Sequence, residues 1–179
     1  VLSARPVNRD GRRVDEGFVW DGADGYRAAH LKHYVPDEES WWEATWFESA
    51  AADFTPIQVG PALVGFQICT DIWAMGRAQR YGKQGVHVIV SPRASGIASL
   101  DMFLAGARVA AYVSGAFVLS ANRAGANGDR AQFGGQGWIV GPNGDVLALT
   151  SAERPFVTMD IDLDSAVQAK HTYPRDVLE

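Results

Sequence analysis

The first thirty positions read as strands, after which the pattern of apolar and polar residues changes. Residues 1–4 form a short apolar run and Asn8-Arg9-Asp10-Gly11 a turn. Residues 14–20 then read as a strand, residues 21–25 as a second turn, and residues 26–31 as a continuation of the same sheet. Residues 36–56 have no period. They hold Pro36, Trp41, Trp42, Trp46 and several acids, and read as a long aromatic-rich loop with room for one helical turn. Loops of that length usually serve function.

The centre alternates strand and helix. Residues 62–68 are almost continuously apolar, as in a strand covered on both faces. The run ends at Cys69-Thr70-Asp71, where Thr70 or Asp71 can cap a helix reaching to about residue 84. Residues 86–91 form a second buried strand, closed by Pro92. Ser99 opens a helix with Leu100, Phe103, Leu104, Ala107 and Ala111 at helical spacing, and Gly115 stops it. Residues 116–120 give a third strand. After a Gly-rich loop, residues 137–140 and 146–149 flank Pro142-Asn143-Gly144, a hairpin signal. Residues 156–161 read as a last strand, followed by a short helical pattern to about residue 170. Strands joined by helical crossovers, with hairpins at both ends, make an α/β fold. No repeat, low-complexity tract or linker divides residues 1–179, so one domain is expected.

With 47% hydrophobic and 21% charged residues, a chain of 179 has material for a sizeable core. Its net charge of −5 and its scattered basic residues exclude a phosphate-tracking surface, so no nucleic-acid partner is expected. No apolar run approaches the ~20 residues of a membrane span, and residues 1–8 lack the basic and apolar regions of a signal peptide. A single cysteine forbids an intrachain disulfide and fits a reducing, cytoplasmic compartment. The chain opens without an initiator Met and inside a strand pattern, which reads as a break within a domain.

Cys69 lies where a buried strand turns into a helix, at the sheet edge where α/β ligand sites gather. Helix N-terminal N–H groups there would favour thiolate, so a low-pKa thiol is expected. The bland alternative is a buried core cysteine. Lys32 is one of three lysines against thirteen arginines and follows an apolar strand. A compact ammonium can approach a developing oxyanion, though a strand-end lysine is more often simply solvated. Glu38 and Glu39 form either a solvated acidic run or a partner for Lys32, and composition does not decide between them. A thiol redox role lacks a resolving cysteine.

Lys32-His33-Tyr34-Val35-Pro36-Asp37-Glu38-Glu39, with Trp41-Trp42-Glu43-Ala44-Thr45-Trp46-Phe47 behind it, resembles the lysine segment of the nitrilase superfamily of carbon–nitrogen hydrolases. Val64-Gly65-Phe66-Gln67-Ile68-Cys69-Thr70-Asp71 resembles their nucleophile segment. Ser91-Pro92, Arg108, Ser120-Ala121-Asn122-Arg123 with Gly125, Phe133-Gly134-Gly135 and Pro142-Asn143-Gly144 follow in the family's order, so the resemblance covers about residues 1–162. It implies a four-layer α–β–β–α sandwich lacking its N-terminal part, and a homodimer or higher homo-oligomer without cofactor or metal. It also implies a Glu–Lys–Cys site acting on an amide, N-carbamoyl compound or nitrile. Cys69 attacks, Lys32 and the Thr70 N–H stabilise the tetrahedral intermediate, and Glu38 serves as the second glutamate that orients lysine and substrate. Ammonia or an amine leaves, and water hydrolyses the thioester.

Trp41, Trp42 and Trp46 could wall an apolar pocket or act as packing anchors. Arg93 could hold a substrate carboxylate bidentately, or be a surface residue.

Three departures stand out. The family's general-base glutamate lies well upstream of the lysine, and here the sole preceding glutamate is Glu16. Its Val14-Asp15-Glu16-Gly17-Phe18 setting resembles a later family strand in which Asn-x-Ala/Gly-hydrophobic is usual, so Glu16 is not assigned that role. Ala74-Met75-Gly76 replaces the usual Pro-Glu, and Gly137 stands where many relatives have serine. The alternative is a non-catalytic module of the same fold, oligomerising or binding a ligand without the base.

Overall fold

A computed structural model describes residues 1–39, 41–126 and 132–177, the side chains of Trp41, Trp42 and Ala126 excepted. Turn chemistry sets the first sheet. Asp10 and Gly11, with φ of 51° and 78°, make the two-residue connection between β1 (Leu2–Arg9) and β2 (Arg12–Asp21). Positive φ at both centres matches the strand twist. Asp21 Oδ1 accepts from the N–H groups of Ala23 and Asp24 (3.0 and 2.7 Å) and turns the chain into β3 (Gly25–Leu31). The three strands form one antiparallel sheet.

The aromatic segment is more ordered than its lack of period suggests. β4 (Asp37–Glu38) and β5 (Trp41–Trp42) pair antiparallel and lead into a 3-10 turn, Glu43–Thr45. β6 (Ile57–Val59) was not legible as a strand; it forms a hairpin with β7 (Ala62–Phe66). β7 leads through a 3-10 turn, Cys69–Trp73, and α1 (Met75–Lys83) to the parallel β8 (Val88–Val90). α2 (Leu100–Ser114) ends at Gly115, whose φ of 64° suits a C-cap, and crosses to the parallel β9 (Phe117–Ser120). β10 (Ala124–Ala126) and β11 (Gln132–Gly134) pair with each other. β12 (Trp138–Val140) and β13 (Val146–Leu149) form the expected hairpin, completing a six-stranded sheet in the order β13-β12-β9-β8-β7-β6. α3 (Leu163–Ala169) closes the described chain.

Side chains alternate across the central strands. Val64, Phe66, Val88, Val90 and Phe117 face Val19 of the three-stranded sheet, and Ala166 of α3 joins that layer. Ile89, Val118 and Val140 face the opposite way, onto Ala78 and Tyr81 of α1 and Phe103, Ala107, Ala110 and Ala111 of α2. The result is a β–β–α stack, part of an α–β–β–α sandwich. Two glycines set its spacing: a Cβ on Gly17 would lie 2.8 Å from the Phe66 ring, and one on Gly65 2.7 Å from the Tyr81 ring. Gly137, where serine was usual, has a similar reason, since a Cβ there would meet the Ser120 carbonyl oxygen at 2.6 Å.

Two expectations change. Residues 156–161 form no strand; Phe156 and Met159 lie exposed, with no neighbouring ladder to hold an extended run. The helix expected from Thr70 or Asp71 begins only at Met75, because the Asp71 carboxylate folds back to the Ile68 N–H (3.2 Å) instead of capping forward. Finally, residues 97–114 are long and apolar enough to pass as a membrane span on composition. The buried stripe Phe103, Ala107, Ala110 and Ala111 makes α2 a core helix.

Candidate active site

The central ladder continues past its strands. Gln67 N–H donates to Val90 O (3.0 Å) and Cys69 N–H to Pro92 O (3.1 Å), carrying the chain to the C-terminal edge of the sheet. There Cys69 takes a φ of 49°, in the left-handed region that non-glycine residues rarely occupy and that costs of order 1–3 kcal/mol. This sharp reversal places the sulfur at the strand-to-turn junction.

The expectation of a low-pKa thiol does not hold for the free site. Burial pushes the Cys69 thiol up, the Lys32 ammonium pulls it down, and the Glu43 carboxylate pushes it up again. The Ala94 N–H and the Arg93 guanidinium add smaller downward pulls. Five residues of 3-10 turn offer too weak a dipole to offset desolvation.

Lys32 follows β3, its N–H donating to Asp15 O at 2.9 Å. Its side chain is 1% exposed, and Nζ donates to both Glu43 oxygens at 2.6 Å. The geometry therefore corrects the assignment of Glu38, which lies exposed on β4. The β4–β5 hairpin folds the chain back, Ala44 N–H donates to Pro36 O (2.9 Å), and Glu43 is returned to the lysine. No helical or strand period marks a separation of this kind, but aromatic neighbours in an otherwise exposed acidic segment are a usable signal.

Three further acids surround this pair. Asp71 is fully buried against His30, with Oδ2 to Nε2 at 2.9 Å. Asp15 shares the inter-sheet face of β2 with Gly17 and Val19. Burial pushes its carboxyl up to about 6; Lys32 pulls it down, while Glu43 and Asp71 raise it further. Glu16 points the opposite way. It is 1% exposed, bound by Arg9 and the Tyr26 hydroxyl, and 3.6 Å from Arg5. Those partners fix it as a structural anchor of the three-stranded sheet.

Arg93 is buried, which removes the surface alternative. Its guanidinium donates to Ser120 Oγ (2.8 Å), Ser95 Oγ (2.6 Å) and Gln136 O (2.6 Å) and stacks 3.8 Å from the Trp138 ring centroid. Desolvation lowers it to about 10. Thr70 opens the turn, where N–H groups lack intrahelical partners, and its hydroxyl donates to Tyr34 O at 2.5 Å. Beside it lies a depression of about 330 Å³ lined by Tyr34, Val35, Pro36, Thr70, Trp73 and Ala74. Trp42 pairs through its backbone with Asp37, while its side chain falls outside the described residues. Trp46 is exposed. Among the described residues no group of three or more His, Cys, Asp and Glu is placed to hold a metal ion.

Comparison with known proteins identifies the family and the fold. A model of the carbon–nitrogen hydrolase family matches residues 15–171. The chain is 29% identical over 176 residues to a glutamine-dependent NAD(+) synthetase of Rhodobacter capsulatus, covering 93% of this chain and 31% of that protein. It is 27% identical over 166 residues to an N-carbamoylputrescine amidase of Solanum tuberosum, covering 84% of this chain and 55% of the amidase. The chain thus spans about a third to a half of these relatives. Among solved structures, a carbon–nitrogen hydrolase from Helicobacter pylori superposes with a TM-score of 0.87 at 21% identity, over 97% of this chain and 66% of that one. The NitFhit protein of C. elegans superposes with a TM-score of 0.79 at 22% identity, over 91% and 41%.

Proposed function

The chain belongs to the carbon–nitrogen hydrolase family, and we propose that it hydrolyses a small amide, N-carbamoyl compound or nitrile with Cys69 as nucleophile. The observation that carries this is the buried Lys32 ammonium, which the partly exposed Glu43 holds and whose charge pulls the Cys69 thiol down. On an amide, Cys69 Sγ attacks the carbonyl carbon and the negative charge collects on oxygen. Lys32 and the Thr70 N–H stabilise that oxygen, which is where a preorganised donor counts most. The C–N bond breaks, the thiol proton leaves with the nitrogen as ammonia or amine, and a thioester remains. Water then releases the acid and restores the thiol. Glu43, rather than Glu38, positions the lysine. The family's general-base glutamate precedes its lysine segment, and no residue described here is assigned that part.

A raised thiol pKa fits this scheme. Bound substrate displaces water and develops negative charge beside Lys32, so the thiolate is needed only when the electrophile is in place. The protein is taken to work as a cytoplasmic homo-oligomer without cofactor. The test is ammonia release by the full-length protein from N-carbamoylputrescine, glutamine, propionamide and butyronitrile, alongside Cys69→Ala. Release from at least one class by the wild type and none by the variant is expected. A folded wild type that releases none, or a variant that matches it, would refute the assignment.

A further inference from the structure

The chemistry above uses neither His30 nor Asp71, yet both side chains are buried, at 1% and 0% exposure. Burying an ion pair in place of apolar side chains gains little stability. The contacts of this pair reach both halves of the site. Asp71 Oδ1 accepts from Tyr34 N–H (2.9 Å) and His33 N–H (3.3 Å), in the segment that follows Lys32. Asp71 Oδ2 accepts from Ile68 N–H (3.2 Å), next to Cys69, and faces His30 Nε2 at 2.9 Å. One carboxylate therefore joins the backbone beside the nucleophile to the backbone beside the cation.

His30 holds that carboxylate in place. Its Nδ1 lies 2.9 Å from Asp53 O, and the Phe54 ring covers it at 4.7 Å. Both ring nitrogens face oxygens, a carbonyl and a carboxylate. The Thr70 hydroxyl makes a second tie, to Tyr34 O. Lys32 leaves the three-stranded sheet and Cys69 the six-stranded one, and polar links between these segments run through Asp71 and Thr70. The left-handed backbone of Cys69 also persists only where its surroundings hold it.

We propose that His30 and Asp71 are a positioning pair that fixes Lys32 relative to Cys69 Sγ through the backbone of Ile68, His33 and Tyr34, given that Cys69 is the nucleophile. Neither touches substrate. The pair sets the approach of the two groups that do, and a misplacement of about 1 Å at such a site costs on the order of a hundredfold in rate.

The test uses full-length protein carrying His30→Phe, which fills the space without a donor; His30→Gln, which keeps one; or Asp71→Asn. Three quantities are read on each: the melting transition, the rate of Cys69 alkylation by iodoacetamide at fixed pH, and kcat and KM on whichever amide the wild type cleaves. His30→Phe should slow alkylation and lower kcat by about ten- to a hundredfold, with KM within about twofold, and His30→Gln should recover most of the loss. A folded His30→Phe that alkylates at the wild-type rate or faster, with only its melting point lowered, overturns the positioning role. If His30→Phe fails to fold, Asp71→Asn is held to the same standard. Should the wild type cleave no amide, the hydrolase assignment falls by itself, and the order of alkylation rates still decides this one.

Discussion

Asp15→Asn should stabilise the protein near neutral pH and do almost nothing in acid. Asp15 sits on the inter-sheet face of β2, and its carboxyl holds a proton up to about pH 6, against 3.8 when free of the fold. Between those values the native state binds more protons than the unfolded state, so the contribution of Asp15 falls as pH rises through that window. Above it the full cost of the buried charge is borne. At 1.36 kcal/mol per pH unit the interval is worth about 3 kcal/mol. Asp15 is partly exposed, and discounting for solvent screening leaves about 2 kcal/mol. Asparagine keeps the shape and removes the charge. Urea unfolding followed by circular dichroism at pH 7.5 and pH 4 is the assay, and taking the difference between variant and wild type cancels the other titrating groups. With an m-value of about 2 kcal/mol/M, the midpoint should rise by about 1 M at pH 7.5 and hardly move at pH 4. An equal gain at both pH values, or a loss at pH 7.5, would refute the assignment of the cost to buried charge.

In the free enzyme, alkylation of Cys69 should rise only above the ~8.5 of an ordinary cysteine. Glu43→Gln should shift that profile to lower pH and Lys32→Met to higher pH, as the signs of their effects on the thiol require; mass spectrometry across pH 6.5–10 would show the reverse order if the electrostatics were misread. Glu16→Gln weakens the charge-assisted bond from Arg9 and the ion pair with Arg5 and should cost about 1–3 kcal/mol while leaving kcat per folded molecule unchanged; a selective loss of kcat would bring Glu16 into the chemistry. Gly82→Ala would drive a Cβ to 2.6 Å from the Ser114 carbonyl oxygen and should destabilise by about 1–3 kcal/mol. Gly76→Ala, with open space around it, should gain a few tenths to about 1 kcal/mol, both read from thermal melts.

What the sequence made legible followed from periodicity. β7, β8 and β9 announce themselves because both faces of the central sheet are covered, and α2 because one stripe alone meets that sheet. Cys69 and Lys32 drew notice because each ends an apolar strand, and it was the resemblance of their two segments to a known family that singled them out. Glu43 was passed over for Glu38 because two-residue strands leave no period, yet they are what returns residue 43 to the lysine. Asp71 looked like a helix cap, a local role, and its real partners lie 37 and 41 residues away at Tyr34 and His30. The direction of the thiol shift was misjudged for a related cause. Desolvation depends on everything packed around Cys69, whereas the neighbouring turn is visible in three letters. Asp15 and Glu16 show how much one position matters, since adjacent acids on one strand face opposite sides of the sheet.

Because Lys32 and Cys69 hang from different sheets, the layer of Val19, Val64, Phe66 and Val88 between those sheets acts as a shim that sets how far apart the two side chains stand. Its thickness follows from the volumes of those apolar side chains. Trimming or thickening it by a methylene would tilt one plate against the other and shift Lys32 relative to Cys69 while the chain stayed folded.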